Sequence, residues 1–265
     1  MSVLTLNIEV AYNVTKSEIK QLDKVDIEFL QRTMFATAKV SRCILLLELG
    51  LVSVEYLIKQ KCLGFLHHLL SSNDSSLAYQ VLMEQRKTQL KGDWVNLVSE
   101  DLQSLKMFLS FDDISRMPKG KFKELVKKSC EKACFNSLLK EKNILSKGRE
   151  IQYSCLMTQS YLKPESSLVI DDMRWIFSVR SRDIDLRANF PNKNNDTSCV
   201  FKDCLERETQ AHFWSCSYYG RKGEVADGEV KYEDIFSDSP QKQEGVIRII
   251  QQRYSRREQV LKDNC

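Results

Sequence analysis

Lys119-Gly-Lys-Phe-Lys-Glu-Leu-Val-Lys-Lys-Ser-Cys-Glu-Lys-Ala-Cys-Phe-Asn-Ser-Leu-Leu-Lys140 decides the fold class. Phe122, Leu125, Val126, Cys130, Ala133, Cys134, Leu138 and Leu139 recur at helical spacing, opposite Lys123, Lys127, Lys128 and Lys132. That is one apolar stripe and one cationic face on a single α-helix. Cys130 and Cys134, four residues apart on the stripe, read as core rather than as ligands, since no further thiol or imidazole lies near them.

The same pattern spreads outward. With nine glycines and four prolines in 265 residues, and many Leu, Lys, Glu and Gln, the chain is expected to be mainly α. Thr15-Lys-Ser-Glu18 is a capping box. Asp93 is expected to cap a fresh helix after Lys91-Gly92, and Ser110 with Asp112-Asp113 to open another. Asp171-Asp172 stands at a further helix start. Both acid pairs are thus explained by the helix dipole rather than by a two-metal site. The apolar run Cys43-Ile-Leu-Leu-Leu47, interrupted by Glu48, reads as a buried helical turn, far too short to span a bilayer. His67 and His68, with no partner ligand at helical spacing, read as core or edge histidines.

Charge is uneven. The net formal charge is +4, yet Arg116 to Arg149 holds eleven Lys or Arg against three Glu, or +8. Such a block fits a polyanion partner, and it equally fits a solvated helix face.

The chemistry-bearing cluster lies nearer the C-terminus. Cys199-Val-Phe-Lys-Asp-Cys204 is followed by His212 and Cys216, giving C-x₄-C-x₇-H-x₃-C. Three thiolates and an imidazole form a tetrahedral zinc set, and the alternative is a group of buried or free thiols. A disulfide is disfavoured by the odd cysteine count and the lack of an opening secretory signal, which together suggest an intracellular protein, nuclear or cytoplasmic. Flanking cations and rings, Trp214 and Phe213 among them, suit single-stranded nucleic acid. No Gly-rich phosphate loop, HExxH motif or convincing nucleophile pair is present, so no catalytic residue is assigned.

Leu45-Leu-Leu-Glu-Leu-Gly-Leu-Val-Ser-Val-Glu-Tyr-Leu-Ile-Lys-Gln-Lys61, Gly64-Phe-Leu-His-His-Leu-Leu70, Lys91-Gly-Asp-Trp94, Lys121-Phe-Lys-Glu-Leu-Val-Lys-Lys128, Ser146-Lys-Gly-Arg-Glu-Ile151, Met157-Thr-Gln-Ser-Tyr-Leu162, Arg187-Ala-Asn-Phe-Pro-Asn-Lys193, Glu208-Thr-Gln-Ala-His212 and Tyr232-Glu-Asp-Ile-Phe-Ser-Asp238 carry a resemblance. In this order they resemble the region past the polymerase core of LINE-type (non-LTR) retrotransposon reverse transcriptases. The resemblance implies a fragment without palm or fingers: Ser110-Phe-Asp-Asp113 does not match the family's catalytic Y/F-x-D-D turn. It further implies a thumb-like helical region over 1–115, a basic helical region over 116–190, a zinc-knuckle-like loop over 191–220, and a loop with a short basic C-terminal helix over 221–265. The family spacing C-x₂-C-x₈-H-x₃-C, aligned on His212, puts its cysteines at Val200 and Asp203, so Cys199 and Cys204 are each displaced by one position.

The expectation is therefore an irregular multi-helix array with a Cys/His zinc-knuckle-like loop. It is non-catalytic, binds RNA or single-stranded DNA, does not enter membranes, and packs on an upstream polymerase domain absent from this chain. Lys121, Lys123, Lys127, Lys128, Lys132, Arg174, Arg180 and Trp214 would contact nucleic acid, and Cys199, Cys204, His212 and Cys216 would hold zinc. The competing expectation is an inert or domesticated helical remnant serving as a protein-interaction scaffold.

Overall fold

The computed structural model describes residues 14–34, 36–37, 39–88, 90–145, 151–166, 168–190, 196–219, 231–237 and 239–263. Residues 191–195 and 220 of the expected knuckle-like loop and residues 221–230 of the expected C-terminal loop lie outside them. Ten α-helices are described: α1 Lys16–Thr33, α2 Arg42–Leu49, α3 Val54–Leu70, α4 Leu77–Thr88, α5 Trp94–Ser104, α6 Phe111–Arg116, α7 Lys119–Ile144, α8 Ile170–Arg180, α9 Gln210–Ser215 and α10 Pro240–Asp263. Among the described residues the only β-pairing is an isolated antiparallel bridge, Ser198 with Arg207. No helix among them is long and apolar enough to cross a membrane.

Local chemistry sets several helix starts. Thr15 N donates to Glu18 Oε2 at 2.7 Å and Glu18 N to Thr15 Oγ1 at 3.2 Å, completing the capping box of α1. Ser110 and Asp113 make the same reciprocal pair at α6. Asp93 occupies the N-cap position of α5 without a side-chain capping bond.

The chain divides into two compact units, 1–29 with 51–140 and 30–50 with 141–265. The boundaries differ from the expected segments. Residues 30–50, assigned to a thumb-like region over 1–115, belong with the C-terminal half. C-terminal α10 runs for 24 residues rather than being short.

The first unit packs α3, α4, α5, α6 and α7 around Leu63, Leu66, Val98, Ile114, Phe122 and Cys130. Cys134, also fully buried on α7, accepts from Ser53 N at 3.4 Å. His67 is part of the core structure: its Nε2 lies 2.8 Å from Met117 O, and its ring stacks on Phe122 at 5.2 Å.

The second unit is built on α2, whose residues 43–47 are all buried, as a helix apolar all round must be. Gly50 ends α2 with φ +65°, and a Cβ there would lie 2.1 Å from Thr158 N. Only glycine satisfies both the left-handed turn and the close backbone approach. Glu48, fully buried, accepts from Arg180 Nε at 3.0 Å on both carboxylate oxygens, from Tyr153 at 2.5 Å and from Tyr161 at 2.7 Å. A buried carboxylate survives only with its lone pairs filled in this way.

Candidate metal centre and its basic surroundings

The cysteine loop is shaped by its backbone. Cys199 N donates to Glu206 O at 2.8 Å and Glu208 N to Thr197 O at 2.8 Å, closing a narrow hairpin-like turn around the Ser198–Arg207 bridge. Cys204 N donates to Phe201 O at 3.0 Å, folding the four intervening residues so that Cys199 and Cys204 approach one centre. Thr209 caps α9, accepting from His212 N at 3.1 Å, and this one-and-a-half-turn helix presents His212. Cys216 follows directly, its N–H bonded to His212 O at 2.7 Å.

The result is convergence. One ligand atom from each of Cys199, Cys204, His212 and Cys216 lies within 4.8 Å of all the others. Cys204 Sγ is 3.3 Å from His212 Nε2 and 3.9 Å from Cys216 Sγ. Tetrahedral zinc bonds of about 2.3 Å to sulfur and 2.0–2.1 Å to nitrogen imply edges of about 3.8 Å for S···S and 3.6 Å for S···N. The two distances fit, and the four residues could hold a metal ion. The Phe201–Cys204 turn lets the C-x₄-C spacing bring both thiols to one centre. No disulfide joins the eight described cysteines.

Burial pushes the Cys199 thiol up to about 12, and burial likewise raises that of Cys216. Without an ion these thiols hold their protons, and a bound cation would displace them.

Helix α10 backs the centre. Arg253 Nη1 donates to Phe213 O at 2.9 Å and to Cys216 O at 3.2 Å. Arg257 donates to both oxygens of Glu208, which also receives the Tyr219 hydroxyl and the Arg187 N–H. Glu208 and Glu48 thus follow one scheme: a fully buried carboxylate held by an arginine and by tyrosine hydroxyl. Glu48 interrupting an apolar run was the only sequence signal of either network. Nothing near Glu208 in sequence marked it as buried.

The expected nucleic-acid contacts fall into two groups. Lys121, Lys123, Lys127, Lys128 and Lys132 are all exposed on α7. Lys127 pairs with Glu131 at 3.8 Å and Lys128 with Glu124 at 2.6 Å, both surface i,i+4 pairs of small energetic weight. Lys119, Lys123 and Lys127 edge a groove of about 450 Å³ against Leu57, Lys61 and Phe65 of α3.

Arg180 is a correction. It is 2% exposed, fully engaged by Glu48, Ile235 O and Gln159, and cannot reach a phosphate. Arg174 is half-buried and bonds Asp171 at 2.9 Å. Trp214 is half-buried too, with Tyr232 at 5.9 Å and the Arg253 guanidinium of α10 at 5.8 Å from its ring.

Compared with protein-family models, with curated proteins and with solved structures, the chain gives no match. The reverse-transcriptase resemblance rests on the sequence segments alone.

Proposed function

We propose that this chain is a zinc-pinned, non-catalytic nucleic-acid-binding module, corresponding to the region beyond the polymerase core of a LINE-type reverse transcriptase. The observation that carries the reading is the convergence of Cys199, Cys204, His212 and Cys216 at distances suited to a tetrahedral ion. Three thiolates with one imidazole in that geometry favour zinc over harder cations. The exposed lysines of α7 supply the cationic face that a phosphate backbone requires. RNA and single-stranded DNA are the ligand classes, and an upstream polymerase domain is the natural partner in the same polypeptide or complex.

The purified chain should carry one zinc, lose it with Cys216→Ser, and bind a single-stranded RNA or DNA oligonucleotide in a salt-sensitive manner. Metal-free protein with reactive thiols and a flat titration at low salt would instead favour the remnant or scaffold reading. Magnesium-dependent polymerase or nuclease activity lost with Asp112→Asn or Asp113→Asn would overturn the non-catalytic reading.

A further inference from the structure

Three rings beside the metal centre run from the interior to the surface. Tyr219 is 2% exposed, and its hydroxyl is bonded to the buried Glu208 at 2.5 Å. Phe201 stands edge-on to Tyr219 at 4.9 Å and 84°. Tyr218 lies offset-stacked on Phe201 at 5.6 Å and 25°, and is 40% exposed. The Arg256 guanidinium sits 5.9 Å from the Phe201 ring centre. Each spacing falls within the range of favourable ring–ring or cation–ring contact.

We infer that Tyr218, supported by Phe201, is the platform on which an unpaired nucleobase stacks. The inference rests on the nucleic-acid reading above and names the ring that performs it. Trp214 is the obvious candidate in the sequence, but it is committed to Tyr232 and Arg253. Tyr218 is the aromatic side chain of the loop that combines solvent exposure with a fixed ring beneath it.

The backbone beside both rings is hydrogen-bonded. Phe201 lies between two metal-site cysteines, and its carbonyl accepts from Cys204 N. Tyr218 follows Cys216 by two residues, and its neighbour Tyr219 donates its N–H to Cys216 O at 3.2 Å. A ring held in place loses little freedom on binding, and a base offers its flat face only when it is unpaired. The platform therefore selects single strands over duplex and reads no particular base.

The test uses the full chain with three labelled probes: a single-stranded oligouridylate, the same length of backbone with abasic sites, and a duplex. Tyr218→Ala should weaken binding to the oligouridylate by about 5- to 150-fold, the range of one base–aromatic stack. It should leave affinity for the abasic strand and zinc content unchanged. Tyr218→Phe, which keeps the ring, should bind like the parent. If the parent binds oligouridylate and Tyr218→Ala binds it equally well, the platform is wrong while the nucleic-acid reading stands. If the parent binds no probe, both readings fall.

Discussion

Arg257 of α10 donates to the two carboxylate oxygens of Glu208, at 2.9 and 3.1 Å, and the two side chains are 4% and 0% exposed. One end of the cysteine hairpin is thereby fixed to a helix 49 residues further along the chain. Removing only one partner strands a charge in the interior. Arg257→Met is expected to destabilise the second unit by about 3–5 kcal/mol, whereas Glu208→Leu with Arg257→Met together should recover part of that loss. Denaturant unfolding of the three variants checks the order. A single variant as stable as the parent would show that water reaches the pair.

Metal binding should be proton-linked. Because burial raises the Cys199 and Cys216 thiols, zinc must displace protons on entry. Calorimetry in buffers of different ionisation heat should report proton release, with affinity falling as pH drops. Cobalt in place of zinc should give the spectrum of a tetrahedral thiolate site, weakened in Cys204→Ser and in His212→Ala. An octahedral spectrum would exclude the four-ligand set.

Nucleic-acid affinity should depend on the α7 face. For single strands, each lysine that neutralises a phosphate contributes about 0.7 to the slope of log affinity against log salt. Lys121→Gln, Lys123→Gln, Lys127→Gln, Lys128→Gln and Lys132→Gln are each expected to reduce the slope by up to that amount, while Arg180→Gln should act through stability alone. Unchanged slopes in all five lysine variants would remove α7 from the interface.

Gly50→Ala meets two penalties at once. The left-handed backbone costs an alanine about 1–2 kcal/mol, and the new Cβ would collide with the backbone at Met157 and Thr158. The neighbouring Glu48 network should loosen with it, lowering the melting temperature of the second unit. A melt unchanged from the parent would be incompatible with this close approach.

In the first unit, Cys130 is fully buried and its thiol is pushed up to about 12, chiefly by burial. Below about pH 9, the ordinary value, both folded and unfolded chains keep this proton and its stabilising effect is complete. Between about 9 and 12 the unfolded chain releases the proton while the folded chain retains it, so stability falls as pH rises. Comparing urea midpoints across this window for the parent and Cys130→Val measures the effect. The variant should show a shallower decline.

What the sequence determined by itself was local. The capping pairs Thr15–Glu18 and Ser110–Asp113, the stripe of α7 and the buried run of α2 depend on residues three or four positions apart, and their chemistry is complete within one turn. The four side chains of the Cys/His cluster were also legible, because they lie within eighteen residues, 199 to 216. Only the tertiary structure decided which charges and rings face water. Arg180 meets Glu48 across 132 positions and Arg257 meets Glu208 across 49. A cationic side chain looks the same in sequence whether it is solvated or paired, and its fate is settled by a partner brought in from far along the chain. Trp214 and Tyr218 differ in the same way: four residues apart, one is half-buried beside Tyr232 and Arg253 and the other is 40% exposed.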